Sequence, residues 1–219
     1  MISDVLRTRV DQYVTELRSS ALLQQANAGA LRPSAIASYV EGLRYLTKET
    51  VRLLRLAAEQ AAQAGDAELA AHYQKKVREE VGHDRWAEND LRKLARTFAL
   101  SEAPQSSRAL QELTRRLHVL IEARPVSYLA YLLLVERMTV MLGPEWLTSL
   151  DRACGVPIDH LTVVKNHVEL DQEHVDDGLE EIDRLAQDGD LAGMLATIDE
   201  STALISAFLH EVLELARAA

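Results

Sequence analysis

Three side chains that can bind a metal lie on one face of a predicted helix in the last third of the chain. His167, Asp171 and His174 follow one another at intervals of four and three residues. Because an α-helix repeats every 3.6 residues, these intervals bring all three side chains onto one face over two turns. Imidazole and carboxylate groups together suit iron or manganese, so this helix is a candidate wall of a metal site.

A carboxylate three residues before a histidine occurs twice in the chain, as Glu80 with His83 and as Asp171 with His174. Bundles that hold two iron or two manganese ions use such a pair on each of two helices, with carboxylates from other helices completing the site. Glu79 competes with Glu80, since a four-residue interval to His83 also gives a common face. The matching three-residue interval favours Glu80.

Glu136 supplies a further carboxylate, and its position needs an explanation. It follows a largely apolar segment that begins near Val126 and predicts a helix buried on every side. A buried carboxylate without a partner is costly, and the adjacent Arg137 points about 100° away around the helix. A metal ion is the better partner. We therefore predict a two-ion site with six ligands: Glu80, His83, Glu136, His167, Asp171 and His174.

The predicted donor set favours two iron ions, with manganese possible in one or both places. Structural zinc usually has thiolate ligands and calcium an all-oxygen shell, whereas this set combines three imidazoles with three carboxylates. Cys154 is the only cysteine, which excludes an internal disulfide and a thiolate cage. Its position at a helix end with no nearby base predicts an inert thiol.

Other polar residues are weaker candidates for roles around the site. Asp90 lies seven residues beyond His83 on the same face, where it either orients a ligand or acts as a solvated or capping carboxylate. Tyr128 and Tyr131 precede Glu136 and either reach a substrate cavity or pack in the core. His160 lies about 10.5 Å of helix before His167 and is predicted to be peripheral.

Helical periodicity and its interruptions predict seven or eight helices in one all-α domain that spans residues 1–219. The segment Ser101–Ser107 is the one clear loop. The predicted helices span about 3–28, 34–64, 67–97, 108–123, 125–143, a short segment to 154, 158–187 and 190–219.

Composition and charge restrict the class of protein. The chain carries 24 basic and 34 acidic residues, a formal net charge of -10, which repels nucleic acid and anionic lipid surfaces. The first residues mix charges and lack the apolar block of a signal peptide, and the longest uninterrupted apolar stretch is shorter than the ~20 residues of a membrane span. We expect a cytoplasmic protein that binds neither nucleic acid nor membrane.

Three motifs resemble those of the haem-oxygenase-like di-iron oxidases and oxygenases, which are related in fold to TenA and PqqC proteins and include UndA-type and CADD-type enzymes. The resemblance covers Arg78 to His174. Its motifs are Glu79-Glu-Val-Gly-His83-Asp-Arg-Trp86, Arg124-Pro-Val-Ser-Tyr-Leu-Ala-Tyr131 running into Glu136, and His167-x3-Asp171-x2-His174.

The resemblance implies a haem-oxygenase-like bundle whose two iron ions use dioxygen as cosubstrate to oxidise a small organic acid, amine or amino acid, and a homodimer is possible. CADD-type members have a reactive tyrosine directly before the central glutamate, where this chain has Val135. The alternatives are a TenA-like or PqqC-like enzyme that needs no metal and a non-enzymatic helical metal-binding protein. Haem is disfavoured because no histidine precedes His72.

Overall fold

A computed structural model describes residues 1–100 and 106–218, with side chains described as far as residue 214. Within those ranges the chain forms α-helices joined by turns and short 3-10 segments, and no strand occurs. This confirms the predicted all-α class. The described helices are α1 (Ile2–Leu17), α2 (Ala21–Asn27), α3 (Pro33–Gln63), α4 (Ala67–Glu80), α5 (Asp84–Thr97), α6 (Arg108–Ala123), α7 (Tyr128–Arg152), α8 (Thr162–Leu185) and α9 (Leu191–Ala218).

Helix α7 is the central element, as its apolar sequence predicts. Residues Tyr128 to Leu134 are all buried, and the helix packs against α8, α1 and α9. Apolar side chains of α1 to α9 form one continuous core around it. The predicted ligands, which lie on α4, α7 and α8 and directly before α5, therefore meet inside the bundle.

Two of the predicted helices are divided in the structure. The predicted helix 3–28 is interrupted after Leu17, and Ser20 caps α2 by accepting a hydrogen bond from the Leu23 amide. The predicted helix 67–97 is interrupted between Glu80 and Asp84, where Gly82 adopts a φ of 98°. Glycine enters this left-handed region without the steric cost of a β-carbon, so the chain can change direction between two predicted ligands.

Helix α7 continues through Pro144, where the sequence predicts a helix end. Proline inside a helix costs about 3 kcal/mol relative to alanine because it lacks an amide donor and crowds the preceding turn. Pro144 lies on the exposed face, while Trp146, Leu147 and Leu150 beyond it are buried. Burying these three side chains offsets the cost of the proline.

The predicted loop Ser101–Ser107 lies mostly outside the described residues. Ser107 is described, and its hydroxyl caps α6 by accepting a hydrogen bond from the Leu110 amide at 3.1 Å. This places the start of α6 where the sequence predicts it.

Two described helical segments are long and apolar enough to cross a bilayer by length and composition alone: Pro125–Arg152, which includes α7, and Asp188–Glu214, which includes most of α9. In the first segment, 61% of the most apolar stretch of 18 residues is buried inside the bundle. A central core helix has the same composition as a membrane span, so the predicted absence of membrane binding stays a prediction.

Candidate metal centre

Glu80, His83 and His167 converge at one point in the bundle, and each can offer a ligand atom within 4.8 Å of the other two. Glu80 is the last residue of α4, His83 directly precedes α5, and His167 lies on α8. Ligand atoms that share an ion are at most about twice a bond of roughly 2.1 Å apart, so these atoms need only a small adjustment to bind one. Two histidines and one carboxylate are the ligand set of many non-haem iron(II) oxygenases.

Neighbouring aromatic rings hold the two histidines in place. The Trp86 indole stacks on the His83 ring, with centroids 4.1 Å apart and planes 20° apart. The His83 and His167 rings meet edge to face at 5.0 Å. These contacts restrict both imidazoles to orientations that face Glu80, whose Oε2 lies 3.1 Å from His83 Nδ1.

His167 is held by a backbone hydrogen bond that leaves one ring nitrogen available. Its Nδ1 lies 2.7 Å from the Val163 carbonyl oxygen, and because a carbonyl only accepts, Nδ1 must be the protonated donor. Nε2 is then the unprotonated nitrogen of the neutral ring. Metal-binding histidines usually donate their second N–H to a carbonyl or carboxylate in this way.

The electrostatics of Glu80 favour the carboxylate form that binds a cation. Burial raises the pKa of Glu80, but the hydrogen bond with His83 and the electrostatic interactions with His167, His83 and Lys76 outweigh it. The net pKa of Glu80 is therefore below its ordinary value. The residue is anionic at neutral pH although it is almost completely buried.

Asp90 contacts the backbone of α8, not a predicted ligand. Its side chain is fully buried, and it accepts hydrogen bonds from the Thr162 hydroxyl and the Val163 amide, both at 2.7 Å. This geometry is that of a capping carboxylate, and it also acts on a predicted ligand through the backbone. Because the Val163 carbonyl holds His167, Asp90 fixes the turn of α8 on which that histidine depends.

The remaining predicted ligands form a second group beside the first. Glu136 and Asp171 are buried, and His174 Nδ1 lies 3.4 Å from Asp171 Oδ1 and 4.0 Å from Glu136 Oε1. Burial raises the pKa of Glu136 to about 7, although Lys76 opposes the rise. The close Asp171 carboxylate raises the pKa of His174 above its ordinary value.

Lys76 is the functional residue that sequence reasoning missed. It is 3% exposed, and its Nζ donates a hydrogen bond to Glu136 Oε1 at 2.9 Å. The sequence predicts a metal ion as the partner of Glu136, whereas the structure places this ammonium there. Arg137 instead forms a two-point ion pair with Asp11 on α1. Lys76 lies four residues before Glu80 on the same helical face, a spacing that could have revealed it.

Glu79 belongs to the second group. Its Oε2 lies 3.8 Å from both Lys76 Nζ and His174 Nε2. This oxygen and His174 Nδ1 are buried and have no hydrogen-bond partner among the described residues. Glu80, which reaches His83 and His167, is the better placed of the two candidates for the first ligand group.

A cavity of about 170 Å³ opens on four of the predicted ligands. Its polar end is formed by Glu80, His167, Glu136 and Asp171, and the rest of its wall is mainly apolar. Aromatic side chains that line it include Tyr39, Tyr131, Trp146 and Phe208. Of the two tyrosine candidates, Tyr131 lines this cavity. The Tyr128 ring is buried in the core and stacks on the Tyr131 ring, with centroids 5.5 Å apart.

The two tryptophans provide a test of this geometry. Trp86 stacks on the predicted ligand His83, whereas Trp146 lies on the cavity wall. Binding of Co²⁺, whose partly filled d shell quenches nearby indoles, is expected to remove most of the Trp86 emission. When Co²⁺ is titrated, the fluorescence of Trp86→Phe should be quenched only slightly. The fluorescence of Trp146→Phe, which retains Trp86, should be strongly quenched. Equal quenching in both variants would place the ion elsewhere.

The fold matches solved structures, while no protein-family model and no curated protein matches the sequence. A domain of unknown function with a haem oxygenase-like fold from Shewanella denitrificans superposes with a TM-score of 0.82 at 17% identity, over 98% of this chain and 92% of that one. A CADD-like protein of unknown function from Nostoc punctiforme gives a TM-score of 0.71 at 15% identity, over 95% and 97%. A second structure with the same description gives 0.61 at 16% identity, over 97% and 96%.

These likenesses define the class of fold. The chain has the haem-oxygenase-like fold, shared with CADD-like proteins, as the sequence motifs predict. At such low sequence identity the likeness extends to the fold alone, and the function has to be argued from the site.

Proposed function

We propose that this protein is a non-haem iron oxidoreductase that uses dioxygen to oxidise a small, largely apolar organic molecule. The observation that carries the proposal is the group of two histidines and one carboxylate at the polar end of an apolar cavity. A ferrous ion in such a ligand set keeps open coordination positions and supplies the chemistry of oxygen activation.

The protein's own residues prepare the site for that ion. Glu80 provides a negative charge, and His167 presents Nε2 because its Nδ1 donates to the Val163 carbonyl. Trp86 packs on the other imidazole and restricts its rotation. A site with ligands already oriented loses less entropy when the ion binds, which favours tight binding.

The cavity wall indicates the kind of substrate. Among the described residues that line it, the charged ones are Glu80, Glu136 and Asp171, and none is a lysine or arginine. A substrate carboxylate would have only the bound ion as a positive partner there. The wall therefore favours a neutral or amine-bearing molecule over a free acid. Its apolar surface would exclude water and orient the substrate through its carbon skeleton.

The second ion that the sequence predicts has a less suitable set of ligands. Glu136, Asp171 and His174 would hold it, but Glu136 is already paired with Lys76 at 2.9 Å. The residues fit one ion at Glu80, His83 and His167, and they do not fit a second ion beside the ammonium. Two ions per chain stays a prediction of the sequence.

Anaerobic equilibrium dialysis of the metal-free protein against ferrous ion tests the proposal. We expect stoichiometric binding, followed on addition of oxygen by oxygen consumption that depends on an added substrate. Candidate substrates can be screened through the emission of Trp146, which lies on the cavity wall and whose buried indole N–H has no hydrogen-bond partner among the described residues. Failure to bind iron would contradict the proposal and favour a metal-independent enzyme of this fold.

A further inference from the structure

Lys76 is buried between two acidic side chains, four residues before the candidate iron ligand Glu80. Its ammonium donates to Glu136 Oε1 at 2.9 Å and lies 3.8 Å from Glu79 Oε2. Only 3% of the residue is exposed. A buried lysine is retained at such a position when carboxylates compensate its charge, and here two carboxylates do so.

We propose that the Lys76 ammonium takes the place of the second metal ion, so that each chain binds one iron, at Glu80, His83 and His167. This inference rests on the proposed function, because it assumes that the first ligand group binds iron. It assigns Glu136, Asp171 and His174 to a metal-free cluster of charged side chains beside the iron.

Electrostatics argue against a divalent ion in that cluster. A cation bound to Glu136 would lie within a few ångströms of the Lys76 ammonium, and like charges at such distances repel strongly in a buried site. The ion would also have to displace the hydrogen bond that Lys76 donates to Glu136. Binding there would therefore require Lys76 to leave its buried position.

The cluster is held together by its own charges. Three carboxylates, those of Glu79, Glu136 and Asp171, surround the Lys76 ammonium and the His174 imidazole. His174 Nε2 lies 3.8 Å from Glu79 Oε2, and its Nδ1 lies 3.4 Å from Asp171 Oδ1. Lys76 thus provides the cation that Glu136 needs, and the carboxylates can remain buried without a second ion.

The test is the metal stoichiometry of the whole chain and of lysine variants. Anaerobic dialysis against Fe²⁺ is expected to give one equivalent in the wild type and two in Lys76→Gln, in which Glu136, Asp171 and His174 become available. Lys75→Gln is the matched control, because this neighbouring lysine is 54% exposed and its ion pairs are with Asp177 and Glu79 Oε1, whereas Lys76 faces Glu136 and Glu79 Oε2. The control should bind one equivalent.

A spectroscopic measurement checks the same count. Mn²⁺ in the wild type is expected to give the six-line electron paramagnetic resonance spectrum of an isolated ion, and in Lys76→Gln the altered spectrum of two coupled ions. If Lys76→Gln does not fold, Lys76→Glu replaces it, since an added carboxylate should favour the second ion further. Circular dichroism distinguishes misfolding from loss of metal.

The outcomes separate this inference from the function on which it rests. Two equivalents in the wild type would overturn the role of Lys76 and leave the oxidoreductase proposal standing. One equivalent in the wild type and also in a folded Lys76 variant would overturn it too. No binding in the wild type, with no quenching of Trp86, would overturn the proposed function and this inference with it.

Discussion

Replacing His167 with alanine is expected to weaken ferrous ion binding by at least about a hundredfold. Loss of a residue that merely orients a ligand typically costs 10- to 100-fold in affinity, so loss of a ligand should cost at least the upper end of that range. Of the three proposed ligands, His167 is the one that comes from α8. Without it, Glu80 and His83 would be left as a two-point site near the end of α4.

Anaerobic isothermal titration with Fe²⁺ measures this loss directly. His160→Ala is the matched control, because His160 lies outside the ligand group and bonds to Thr97 and Asp159 at the surface. The control should bind iron as the wild type does. An unchanged affinity in His167→Ala would remove α8 from the metal site and contradict the proposed ligand set.

The second large effect is expected at Asp90, which never touches the metal ligands directly. Asp90→Ala should lower the free energy of unfolding by about 3–6 kcal/mol, since hydrogen bonds to a charged group contribute about 1.5–3 kcal/mol each and two are lost. The Val163 amide would also be left buried without its partner. Urea denaturation of the metal-free protein measures this change.

Asp90→Ala should also weaken iron binding, by about 10- to 100-fold. The residue holds the first turn of α8, whose Val163 carbonyl accepts the hydrogen bond from His167. Asp90→Asn, which keeps one oxygen acceptor, should lose less of both stability and affinity. The exposed Asp176→Ala on α8 should change stability by less than about 0.5 kcal/mol. If Asp90→Ala behaved like Asp176→Ala, the capping role would be wrong.

The sequence by itself determined the helical class, the central position of α7 and the residues that can bind a metal. These features follow from local periodicity: an apolar face marks burial, and intervals of three and four residues place side chains on one face. His167, Asp171 and His174 share one face because of such short intervals within α8. For that reason the sequence could predict them without knowing how the helices pack.

Local patterns also failed where packing outweighs them. Pro144 predicts a helix end, but the buried side chains beyond it continue α7. The sequence predicts a continuous helix through Glu80 and His83, but in the structure the helix ends at Glu80 and the chain turns at Gly82. In both places the tertiary structure decided between conformations whose local cost is only a few kcal/mol.

Only the tertiary structure decided which partners the buried charges have. Lys76 and Glu136 are 60 residues apart, and Asp90 and Val163 are 73 residues apart, so neither contact lies within the reach of helical periodicity. The sequence established that Glu136 needs a cation, because a buried carboxylate requires one. Whether that cation is a metal ion or Lys76 depends on how α4 packs against α7, and the packing brings the ammonium to 2.9 Å.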